Sequence, residues 1–150
     1  VRRAVAVLAL VVLAATGCGG GDQRRSDYVK SLNRAQTGLA KRFTALQARI
    51  TPTSTPGQDE RTLQAYAGAV RDAVRDLRAV SPPAGFEALH QRFVGQVADY
   101  GTALQSARTQ LRSDDPQRIL AAQGRLRAAI EQTGARLNAT IRAINAKLKG

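Results

Sequence analysis

The chain has 150 residues, a length that a single domain fills on the usual scale of ~100–150 residues. It carries 23 Lys and Arg against 11 Asp and Glu, a formal charge of +12, with one Cys, one His and no Met or Trp. The single cysteine excludes an intramolecular disulfide, so the fold must rest on its apolar core, and a lone imidazole without methionine or a C-x-x-C-H run leaves no ligand set for haem.

The first element in chain order is a leader. Arg2 and Arg3 make a basic start, Ala4 to Ala15 is an unbroken run of Ala, Val and Leu, and Ala15-Thr16-Gly17-Cys18 closes it. A basic n-region, a short apolar h-region and small residues at the end predict a secretory signal over 1–17, because a membrane-spanning helix needs roughly 20 apolar residues. The segment resembles the signal of bacterial membrane lipoproteins, in which small residues precede a cysteine that is acylated and becomes the mature N-terminus. Ala15 stands where that family favours Leu. The resemblance implies lipidation of Cys18, with the domain outside the cytoplasm and anchored to the bacterial membrane. An ordinary signal peptide with an incidental cysteine is the alternative, although Leu13 and Thr16 stand where an A-x-A cleavage site would need alanine. The excess of Arg over Lys, the abundant Ala and an initial Val1, readable as an alternative start, suit a GC-rich bacterium and extend the resemblance to the small lipoproteins of such organisms.

Gly19, Gly20, Gly21 and Asp22 read as a flexible tether, so that 18–25 joins the anchor to a domain over 26–150. Within that domain four segments repeat one pattern. Tyr28, Leu32, Ala35, Leu39, Phe43, Leu46 and Ile50 recur in steps of three and four, as do Leu63, Tyr66, Val70, Val74, Leu77 and Val80. Phe86, Phe93, Val97, Tyr100, Leu104 and Leu111 follow, then Ile119, Leu126, Ile130, Leu137, Ile141, Ile144 and Leu148. Such steps put each set on one helix face, and no segment alternates with the period of a half-buried strand. The spacing predicts helices over 27–50, 58–80, 84–112 and 116–148.

Proline punctuates the segments. Neither Pro52 nor Pro56 can continue a helix, Pro82 and Pro83 separate the second segment from the third, and Pro116 opens the fourth. Thr55 with Gln58 three residues later has the form of a capping box, and Asp115 is placed as an N-cap. Connections this short make consecutive helices antiparallel, which predicts an all-α, up-down-up-down four-helix bundle.

The residues that could carry chemistry are few. Glu87 and His90 have the E-x-x-H spacing of di-metal bundles, but that site needs two such motifs and two further glutamates, and the chain has one histidine. His90 lies near the apolar stripe and is expected to pack or cap at a bundle end. Nucleophilic catalysis would need a Ser or Cys beside a histidine and an orienting carboxylate, and Cys18 is assigned to lipid. Asp72 and Asp76 sit among Arg71, Arg75 and Arg78, which reads as a solvated ion-pair face. No glycine-rich phosphate loop follows a strand. The expectation is therefore a protein without cofactor or metal, and not an enzyme.

Basic charge concentrates in the fourth segment, where Glu131 is the only acid after Pro116. Helical angles put Arg118, Arg125, Arg136 and Lys147 on one flank of the apolar stripe and Arg127, Arg142 and Lys149 on the other. These side chains either snorkel along the seam or contact anionic lipid headgroups or a cell-wall polymer. The aromatics that single-stranded nucleic acid would stack on are missing from this helix. The functional expectation is a lipid-anchored envelope module for binding or spacing. The alternative is a carrier of a small ligand or metal in the bundle interior.

Overall fold

The computed structural model describes residues 20–49, 53, 55–110, 112 and 115–149. The signal over 1–17, Cys18, and the expected core residues Ile50 and Leu111 lie outside the described residues. Four helices follow one another: α1 (Gly20–Gln47), α2 (Pro56–Arg78), α3 (Glu87–Gln110) and α4 (Pro116–Lys149). There is no strand among the described residues, and no helix there is long and apolar enough to cross a membrane.

Helix ends follow local chemistry. At the start of α2 the Thr55 hydroxyl accepts from the Gln58 N–H at 3.3 Å and the Gln58 side chain accepts from the Thr55 N–H at 2.7 Å, so two otherwise orphaned donors are satisfied reciprocally. At the start of α4 the Asp115 carboxylate accepts from the Gln117 N–H at 2.9 Å. The third helix begins at Glu87 rather than at 84. Gly85 takes φ +83°, a left-handed value that L side chains rarely adopt, and Phe86 closes a turn on the Pro83 carbonyl at 3.0 Å. Residues 20–25 belong to α1, where the glycines had suggested a flexible tether. Glycine weakens a helix by about 1 kcal/mol without forbidding it. The residues that follow supply local support, with Gln23 donating to Asp27 at 3.1 Å and Lys30 3.6 Å from Asp27.

Packing along the helix lengths joins α1 to α2, α2 to α3 and α3 to α4. The chain runs up, down, up and down, because the α1 start, the α2 end, the α3 start and the α4 end meet at one pole. The most deeply buried large side chains include Tyr28, Phe86 and Ile144 at that pole, with Val70 farther along α2. Burial of a side chain of this size contributes about 1.5–3 kcal/mol. At mid-height α2 and α3 approach closely: a Cβ on Gly101 would lie 3.1 Å from Val70 Cγ1. Beside them Phe43 of α1 meets the Tyr66 ring edge-on at 4.9 Å and the Tyr100 ring at 5.6 Å. The first half of α4 is thinly covered. Ala122 is its buried residue, Ile119 and Ile130 are half-buried, and Leu120 is 65% exposed.

Candidate functional site

The pole where the helices converge holds the chain's only histidine. Tyr28 rises from the third turn of α1, and His90 from the first turn of α3. Tyr28 Oη lies 3.2 Å from His90 Nδ1, and His90 Nε2 lies 3.1 Å from the Leu77 carbonyl oxygen near the end of α2. A carbonyl can only accept, so Nε2 carries the proton and Nδ1 accepts from the tyrosine hydroxyl. Leu77 is within the last four residues of α2, and its carbonyl, which already accepts from the Val80 N–H at 3.0 Å, gives its second lone pair to the imidazole. The Tyr28 ring packs edge-on against Phe86 at 6.0 Å and against His90 at 5.6 Å.

α4 closes the same pole. Lys147 Nζ donates to the Gly85 carbonyl at 2.6 Å and stands 5.4 Å from the Phe86 ring centroid, in cation–π range. Burial pushes the Tyr28 hydroxyl up to about 12, so it remains a donor at any physiological pH. Burial also holds the His90 imidazole below its usual 6.5, with the Leu77 carbonyl pulling the other way. The result is a neutral imidazole with both nitrogens committed to protein partners. It acts as a tie between three helices and has no free lone pair to offer a metal or a substrate. The sequence placed His90 at a bundle end but did not pair it with Tyr28. A polar aromatic and the only histidine, both on apolar stripes, were the available signal.

A second polar cluster marks the opposite pole. Glu60 in the first turns of α2 accepts from Arg108 at 3.2 and 3.3 Å and from Arg112 at 2.8 Å, and these guanidinium groups hold its carboxyl below the usual range. On the flank, Asp72 pairs with Arg42 of α1 at 3.0 Å and with Arg75 at 3.1 Å, and Arg75 also reaches Asp76 at 3.8 Å. These carboxylates face solvent and cations, not each other. Among the described residues no three His, Cys, Asp or Glu side chains come together.

The basic residues expected to share one contact flank have different surroundings. Arg118 pairs with Asp115 at 3.4 Å, Arg125 donates to the Gln110 side chain at 2.9 and 3.3 Å, and Lys147 is held by Gly85 at the far pole. Arg136, Arg127, Arg142 and Lys149 are exposed. Two open volumes among the described residues are surface grooves left by small residues. One of about 330 Å³ between α1 and α2 is floored by Ala35, Gly38, Ala69 and Ala73, with Arg34 and Arg42 beside it. One of about 110 Å³ lies between α3 and α4. Comparison of the chain with protein-family models, with curated proteins and with solved structures gives no match.

Proposed function

We propose that the chain is a lipid-anchored envelope protein whose helical bundle serves as a non-enzymatic binding or spacer module, with a basic exterior that contacts anionic lipid or polymer. The observation that carries this reading is the order Arg2, Arg3, an apolar run and Ala15-Thr16-Gly17-Cys18 immediately ahead of a helical domain. The start of α1 at Gly20 supports it, since a helix of 28 residues beginning just after the anchor is a stiff post of about 42 Å. The role of the only imidazole supports the non-enzymatic part, because His90 spends both nitrogens on the fold. Mass spectrometry of the mature N-terminus should find an acylated Cys18, and Cys18→Ala should leave the protein unprocessed or release it from membranes. An unmodified mature N-terminus at another residue refutes the anchor.

A second reading, carriage of a small ligand, draws on the groove between α1 and α2, with its apolar floor and two flanking arginines. Native mass spectrometry of protein purified from its own envelope separates the two, since a carrier retains a bound mass.

A further inference from the structure

The direction of the helices decides which cations can face a membrane that holds Cys18. α1 starts at Gly20, and its first turns share a pole with the end of α2, the α2–α3 connection and the end of α4. Three contacts fix that pole: Tyr28 to His90 at 3.2 Å, His90 to Leu77 at 3.1 Å and Lys147 to Gly85 at 2.6 Å. The opposite pole holds Glu60 with Arg108 and Arg112, and Gln110 with Arg125. At a rise of 1.5 Å per residue, Arg118 stands roughly 45 Å along α4 from Lys147, Arg125 roughly 33 Å and Arg136 roughly 16 Å. Screening at physiological ionic strength acts over about 8 Å. Arg118 and Arg125 are therefore several screening lengths from a surface at the anchor pole.

Other cations reach that surface. Arg24 and Arg25 leave the second turn of α1, Arg78 ends α2, and Lys147 and Lys149 end α4. All are exposed except Arg25, which is half-buried. Among the described residues none of the five is in an ion pair, whereas nearby Lys30 is paired with Asp27, and Arg75 with Asp72 and Asp76. The exposed acids described at this pole are Asp27, Asp76 and Glu87, of which Asp27 and Asp76 already face Lys30 and Arg75. The helix dipole accounts for cations at the ends of α2 and α4, because a C-terminus favours positive charge. It does not account for Arg24 and Arg25, which lie toward the positive end of α1 and gain nothing from it.

We propose that this pole, carrying Arg24, Arg25, Arg78, Lys147 and Lys149, docks on anionic phospholipid headgroups, so that the bundle stands upright on its anchor with the first half of α4 held away from the bilayer. The orientation rests on the lipidation of Cys18. The charge contact is tested apart from it, using the whole chain carrying Cys18→Ala, in which the apolar leader is common to every variant. The reading is the ratio of partition into phosphatidylglycerol vesicles over partition into phosphatidylcholine vesicles.

Each near-surface charge is worth about fivefold in partition. Replacing Arg24, Arg25, Arg78 and Lys149 with Gln should therefore lower the ratio by about a hundredfold or more, with Lys147 kept because it also holds Gly85. Replacing Arg118, Arg125 and Arg136 with Gln should leave the ratio within about threefold of the starting chain. A persistent ratio in the first set, or an equal or larger loss in the second, overturns the proposal. Preference for soluble polyglutamate over the anionic vesicles assigns the pole to an anionic polymer and overturns the lipid assignment. A separate reading does not depend on how the charge variants fold. In the same Cys18→Ala chain, a fluorophore on Ala84→Cys should be quenched by headgroup-labelled lipid, and one on Gln123→Cys should stay bright. Equal or reversed quenching overturns the upright orientation.

Discussion

At the scale of single residues, the Tyr28–His90–Leu77 chain is the buried polar feature that joins three helices. Removing the tyrosine hydroxyl leaves His90 Nδ1 buried without a donor, a loss of about 1–3 kcal/mol. Tyr28→Phe should lower stability by that amount in urea unfolding at neutral pH while the helical circular dichroism is kept. The same imidazole sets a pH dependence. Its folded pKa lies below 6.5, so below that pH the unfolded chain binds a proton that the folded chain refuses. Stability is full above about pH 6.5 and falls as acid carries the solution down toward the folded value. A charged His90 would also lose its acceptor role toward Tyr28. Replacing His90 with Gln should flatten the slope between pH 7 and 5. Glu60 titrates in a separate window, since its pairing with Arg112 and Arg108 is lost only as pH falls below the usual 4.5. An unchanged acid slope in the Gln variant would show that other groups carry it.

At the scale of the elements, the two halves of α4 differ in what they bury. Ile144 is 1% exposed in the converged pole, whereas Leu120 is 65% exposed near the other. Ile144→Ala should destabilise by about 2–5 kcal/mol, through lost transfer energy and the cavity left behind. Leu120→Ala should stay within about 0.5 kcal/mol. Comparable losses from the two would mean that the first half of α4 is as well packed as the second. The sequence pattern recovered the four helices and most of the core because proline and capping chemistry act locally: Thr55 and Gln58 form their box within three residues. The start of α3 was less legible. Phe86 fitted the apolar period, but the left-handed Gly85 keeps the backbone out of the helix until Glu87. Gly20 and Gly21 lie inside α1 for the related reason that conformational freedom permits a coil without requiring one. The His90 site was half legible, because its partners lie 62 and 13 residues away and only the packing of three helices brings them together.

At the scale of the whole molecule, net charge becomes the relevant quantity. Basic residues outnumber acidic ones about two to one, so even complete pairing would leave the whole +12 unopposed. The pairs that form are exposed or partly so: Arg42 with Asp72, Arg75 with Asp72, Arg118 with Asp115. Exposed pairs contribute about 0–1 kcal/mol each, and salt screens them. Salt equally screens the repulsion among cations without a carboxylate partner, such as Arg24, Arg34, Arg61, Arg71, Arg78, Arg127, Arg136 and Arg142, and compaction brings these closer together than in the unfolded chain. Basic residues outnumber acidic ones on α1 and α4 and balance them on α2 and α3, so screening should help the fold more than it harms it. Thermal unfolding in increasing sodium chloride should therefore show Tm rising across the range in which the Debye length shrinks from about 30 to 10 Å. The direction matters more than the size, because the hydrophobic core is nearly indifferent to this range of salt while the two electrostatic contributions respond with opposite signs. A falling Tm would mean that Glu60 with Arg108 and Arg112, together with the Asp72 pairs, outweighs the repulsion, and that the basic exterior costs the fold nothing.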